Sequence, residues 1–152
     1  MSAFVDTNII IRHLTGDPPE QARAATAFLA AADEVLLPDL IVADVVFVLE
    51  SFYDLERERV AELIRAVIGF PPILVVDVPL LLRAVEVYEV GRLDFAEAYL
   101  VASAEASDVL RIASFDGPID EVATGSRRPE QPSHANQDVW CIGDEAHERL
   151  PV

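Results

Sequence analysis

Lysine is missing from these 152 residues, and all 11 basic side chains are arginines. Against them stand 27 aspartates and glutamates, for a formal net charge of −16. Such a chain is ill suited to loose, nonspecific nucleic-acid binding, which needs positive charge against phosphate. It favours cations or a basic protein partner. Cysteine is nearly absent as well: Cys141 stands alone, so no intrachain disulfide forms and a reducing, cytoplasmic setting is expected. The histidines, His13, His134 and His147, are scattered and read as surface residues, so no Cys/His cluster suits zinc. No apolar run approaches the roughly 20 residues that span a bilayer, and no membrane partner is expected. The N-terminus lacks a basic region and Asp6 interrupts its apolar stretch, unlike a signal peptide. Internal repeats are also lacking.

What is present is apolar residue in quantity, 52% and dispersed along the chain. A chain of this length buries a core without disulfides or structural metal, and one domain is expected. Short strands are predicted at residues 3–5, 35–38, 73–77 and 109–116. Between them lie helical patterns. Pro18 or Pro19 opens a helix through Ala32, with Ala22, Ala25, Phe28, Leu29 and Ala32 on one face. Residues 39–53, "DLIVADVVFVLESFY", form an apolar helix that Asp39 is placed to cap. "ERERVAELIRAVIGF" is amphipathic and ends at Gly69. Residues 79–90 form a helix closed by Gly91, and residues 94–107 another. Strands alternating with helices imply a parallel sheet with helices on both faces. Residues 1–123 are read as the α/β domain and 124–138, "TGSRRPEQPSHANQD", as a polar loop. Residues 139–152 contain "VWCI", a candidate edge strand, and a polar tail.

Several acids are candidates for chemistry. Asp6 follows the first strand in "FVDTNIIIRHL", and Asp116 follows the last in "IASFD". Ligands of open α/β sheets lie beyond the carboxyl ends of strands, so the two converge if their strands are neighbours. Asp44, inside "LIVADVVFVL", and Asp94 and Glu97, in "LDFAEAYLVASA", would come from flanking helices. Each also has a purely structural explanation. Asp6 or Asn8 suits a helix cap, Asp94 and Glu97 have capping-box spacing, and Asp116-Gly-Pro is good turn chemistry. Asp44 stands among apolar residues, where an unpaired carboxylate is costly unless a partner such as Arg12 meets it. Two carboxylates about 5 Å apart repel by roughly 3 kcal/mol at an effective dielectric of 20. Protons or a cation must offset this, and oxygen-only ligands suit Mg²⁺ or Mn²⁺. A bound Mg²⁺ turns an acidic site into one that attracts phosphate and activates water.

"VDTNIIIRHL", the acid in "IVADVVFVLESFY", "LDFAEAYLVASA" and "IASFD" together resemble, in order and spacing, the motifs of PIN-domain ribonucleases, above all the VapC-type toxins of bacterial toxin–antitoxin modules. The resemblance covers residues 3–120. It implies a three-layer α/β/α fold with a short parallel sheet, and Mg²⁺-dependent endoribonuclease activity in which Mn²⁺ substitutes. It also implies a homodimer neutralised by a basic antitoxin. Asp6, Asp44, Glu97 and Asp116 match the family's four acids, with Asp94 auxiliary. Thr7 and Asn8 complete the first motif and are expected to orient Asp6 and water. Arg12 matches its basic residue, expected to steady an acid or face RNA. In-line hydrolysis leaving a 5′-phosphate and a 3′-hydroxyl is the reaction implied.

Two other readings stay open. One is a catalytically silent PIN-like module whose acidic surface docks a basic protein. The other is a phosphotransfer or phosphohydrolase domain with Asp6 as nucleophile. The latter is disfavoured because Asn8 replaces the second acid of an Asp-x-Asp pair and no lysine is there to hold a phosphoryl group. The family usually has Glu where this chain has Asp44, and Asp where it has Glu97. One side chain shortens by a carbon and the other lengthens, so the two exchanges are expected to compensate. Asp44→Glu combined with Glu97→Asp should then retain more RNA-cleaving activity than either change alone. Single variants that match wild type, with a double variant no different, are the result that rejects compensation.

Overall fold

The computed structural model describes residues 2–107, 112–114 and 140–141. Its strands are β1 (Ser2–Phe4), β2 (Glu34–Leu36), β3 (Ile73–Leu74), β4 (Ala113–Ser114) and β5 (Trp140–Cys141). Its helices are α1 (Thr7–Thr15), α2 (Pro19–Ala31), α3 (Asp39–Ser51), α4 (Arg57–Ile68), α5 (Val78–Val90) and α6 (Phe95–Ala106). The first three strands form a parallel sheet in the order β1-β2-β3. Phe4 lies opposite Leu36, and Leu36 opposite Leu74, so the three carboxyl ends are aligned. This is the α/β architecture expected from alternating strands and helices.

Local chemistry sets the helix ends. The Asp6 carboxylate accepts from the Ile9 amide at 3.1 Å and starts α1. Gly16 ends it at φ 73, a left-handed conformation that a side chain would strain. Asp77 caps α5 by accepting from the Leu80 amide at 2.9 Å. Gly69 and Gly91 close α4 and α5, where the sequence placed the ends. Val35, Val45, Leu49, Val60, Leu81 and Tyr88 are among the fully buried side chains, and no polar or charged residue is buried among the described residues.

Four expectations change. β3 is shorter than residues 73–77, because β2 offers only Val35 and Leu36 as partners. Asp39 is the first residue of α3 and not its cap; Pro38 holds that position and supplies no side-chain bond. Asp44 is exposed, so no burial cost forces a partner on it. β4 pairs antiparallel with β5, and no pairing of β4 with β1 occurs among the described residues. "VWCI" does contain a strand, β5. Asp116 and the 124–138 loop lie outside the described residues.

Tyr88 ties the helices together. Its hydroxyl donates to Glu50 Oε1 at 2.6 Å. The Arg57 guanidinium stands 4.4 Å above its ring, a cation–π contact. The same guanidinium donates to the Tyr88 carbonyl at 2.7 Å and to that of Leu93. One arginine of α4 therefore fixes the end of α5 and the turn into α6. Outside this node, Arg83 pairs with Glu86 and Glu105, and Arg65 with Glu89. Such partly exposed pairs contribute little each.

Burial, then the Glu50 hydrogen bond and charge, push the Tyr88 hydroxyl above its ordinary pKa. A raised pKa means the folded state holds a proton that the unfolded chain releases above about pH 10. Stability from this group is complete below that pH and is lost as pH rises further. Urea unfolding across pH 8 to 12 should therefore be flat up to about pH 10 and then fall. Tyr88→Phe should reduce the fall and cost about 1 kcal/mol at pH 8. An unchanged alkaline slope in Tyr88→Phe assigns the effect to other groups.

Candidate active site

The aligned carboxyl ends place Asp6, Asp39 and Asp77 just after β1, β2 and β3. Asp6 uses Oδ1 to cap α1. Thr7, the next residue, donates its hydroxyl to Asp44 Oδ2 at 2.5 Å. This bond, between residues 37 positions apart, joins the start of α1 to the exposed face of α3. It brings the elements carrying the first two acids together. Thr7 thus orients Asp44 and not Asp6. Asn8 is exposed and bonds no described side chain.

Asp94 and Glu97 form a full capping box. Asp94 Oδ1 accepts from the Glu97 amide at 2.8 Å, and Glu97 Oε2 accepts from the Asp94 amide at 2.9 Å. The structural explanation of this pair is realised, yet each acid uses a single oxygen for it. Among the described residues Arg12 meets no acid. It donates to Gln21 Oε1 and to the Asp17 carbonyl, both at 3.0 Å, and to the Tyr53 hydroxyl at 3.4 Å. It braces the α1–α2 connection, with no carboxylate partner among the described residues.

The chemistry of the donors fits a hard divalent cation, because every candidate ligand is a carboxylate, and Asp6, Asp44, Asp94 and Glu97 each keep one oxygen unengaged among the described residues. Their spacing is looser than the sequence suggested. Among the described residues no three acidic, histidine or cysteine side chains stand close enough to hold an ion. Asp116, the fourth acid, lies outside the described residues.

A model of the PIN domain matches residues 3–125. The chain belongs to the PIN-domain family. PIN domains are in general metal-dependent nucleases, and the match spans Asp6, Asp44, Asp94, Glu97 and Asp116. No curated protein and no solved structure was found to match.

The sequence reading of this PIN domain missed a contact beside these acids. Tyr99 of α6 donates to Asp39 Oδ2 at 2.6 Å. The second oxygen, Asp39 Oδ1, is buried and has no hydrogen-bond partner. The bond to Asp39, then burial, then the charges of Asp39 and Asp77, push the Tyr99 hydroxyl up to about 12. It is a proton donor at any physiological pH. The available clue was positional: Asp39 and Asp77 follow their strands as Asp6 follows its own.

Capping and ligation by Glu97 separate by substitution. Glu97→Gln keeps an oxygen to accept from the Asp94 amide and should leave the thermal midpoint unchanged. Asp94→Ala and Glu97→Ala should each cost about 1 kcal/mol in urea unfolding. Equal stability of the Gln and Ala variants at position 97 argues that the box contributes nothing.

Proposed function

We propose that this PIN domain is a Mg²⁺-dependent endoribonuclease, with Mn²⁺ able to substitute, acting in the cytoplasm as the toxin of a toxin–antitoxin module. The observation that carries the reading is the Thr7–Asp44 bond, which ties the second acid to the element begun by Asp6. The residues that hold the ion are Asp6, Asp44, Glu97 and Asp116, with Asp94 auxiliary. When bound there, the ion would supply polarisation of the phosphodiester and a lowered pKa for a bound water. Thr7 holds Asp44 in place by the hydroxyl bond, and Asp6 is held at the start of α1 by its bond to the Ile9 amide.

Substrate phosphate must be met by few cations. Arg59, Arg65 and Arg83 are engaged by glutamates. Arg23 and Arg92 are exposed and without a partner among the described residues, and Arg12 bonds only neutral groups. Three such arginines among the described residues suit recognition of a particular RNA shape more than broad affinity. The acidic surface suits the basic arm of an antitoxin. Exposed Leu40 and Phe47 on α3 suit burial against that partner or a second copy in a homodimer. No helix among the described residues is long and apolar enough to cross a membrane.

A second reading is a silent PIN-like module that binds a basic protein. It is favoured by the capping box, which occupies one Glu97 oxygen, and by the looseness of the acids.

Cleavage of a total tRNA and rRNA pool with Mg²⁺ or Mn²⁺ separates the two. Discrete fragments that vanish with EDTA and in Asp6→Asn are the expected result. Removal of Asp6 should lower the cleavage rate at least about 100-fold, the loss of roughly 2.7 kcal/mol of transition-state stabilisation. Folded, antitoxin-free protein that leaves every RNA intact in both metals supports the binding module.

A further inference from the structure

We propose that Tyr99 and Asp39 are positioning residues for the metal-binding acids, a role that rests on the nuclease reading above. Neither is a candidate ligand. Their hydrogen bond, 2.6 Å long between residues 60 positions apart, fastens the first turn of α3 to the second turn of α6. Asp44 lies on α3 and Glu97 on α6, so two of the acids sit on the helices that this bond joins. Asp44 is five residues beyond Asp39, an axial rise of about 7.5 Å, and Glu97 is two residues before Tyr99, about 3 Å. A tilt of either helix at its start carries its acid with it. Oxygen ligands around Mg²⁺ or Mn²⁺ tolerate little displacement.

The surroundings make the bond selective. Asp39 stands in the first turn of α3, where the helix favours negative charge. Pro38, at the cap, has no side-chain donor or acceptor to offer. Asp39 Oδ1 is buried and receives no hydrogen bond, so Tyr99 supplies the one side-chain bond to this carboxylate among the described residues. Tyr99→Phe removes one oxygen atom, keeps the ring and leaves the half-buried carboxylate without a partner. That carboxylate is then driven to turn toward water, which releases α3 from α6 at the end nearest the acids.

The test is Mn²⁺ binding by titration calorimetry on the full chain, with the metal-free thermal midpoint and the kcat and KM for RNA read beside it. Tyr99→Phe and Asp39→Ala should each weaken Mn²⁺ binding about tenfold and lower kcat with little change in KM. The double variant should be no worse than either single one, as for two partners of one bond. Asp39→Asn keeps an oxygen that accepts from Tyr99 and should bind Mn²⁺ within about twofold of wild type. A lower thermal midpoint with unchanged Mn²⁺ affinity in Tyr99→Phe and Asp39→Ala makes the bond merely structural and overturns the inference. Failure of Asp39→Asn to retain affinity also overturns it, because charge and not the bond would then matter. Wild-type protein that binds no Mn²⁺ overturns the nuclease reading and this inference together, whereas binding by wild type and both variants alike overturns the inference alone.

Discussion

Parallel pairing of three very short strands is the constraint from which the rest follows. β1 and β2 have three residues each and β3 two. So few ladder bonds cannot hold a sheet by themselves, and parallel neighbours cannot be joined by a tight turn. The chain must return through helices after each strand. The helices supply the apolar surface, and Val35 at the centre of the sheet is wholly buried beneath them. Because β1, β2 and β3 run the same way, each exits at the same edge and each exit opens a helix. An edge of this kind gathers helix starts, and helix starts are where carboxylates are least costly. The acidity at that edge is thus compatible with folding before any ligand is considered.

The helices were legible because their limits are local. Gly69, Gly91 and the Asp94-to-Glu97 spacing act on neighbouring amides, so four or five residues of sequence suffice to place an end. Strand length was not legible. "ILVVD" reads as five residues of strand, but a strand is only as long as its partner, and β2 stops at Leu36. The exposure of Asp44 was hidden by composition. Leu40 and Phe47 are apolar, yet they share the solvent face with it. The first acid motif was clear as a sequence, but its threonine reaches across to α3, and nothing in four consecutive residues announces a partner 37 positions away. The Tyr99–Asp39 bond was beyond reach for the same reason.

Capping and ligation stood as competing explanations of the same acids. The structure shows why they need not compete. A carboxylate has two oxygens, and a helix start requires one. Asp6, Asp94 and Glu97 each satisfy an amide with one oxygen and leave the other unengaged among the described residues. In this chain the capping signature locates an acid at a helix start, and what lies around the second oxygen decides whether it has further use. Asp44 reaches the same condition by another route, giving one oxygen to a hydroxyl instead of an amide.

Arg57 holds two consequences in one side chain. Its planar fork meets the carbonyls of Tyr88 and Leu93 while its face lies on an aromatic ring. An ammonium group has no such plane. The turn between α5 and α6 is therefore clamped from α4. The orientation in which α6 sets out is inherited from a helix more than thirty residues earlier in the chain. Evolution of the site is coupled to that distant anchor: drift at position 57 re-aims the acids without touching one of them.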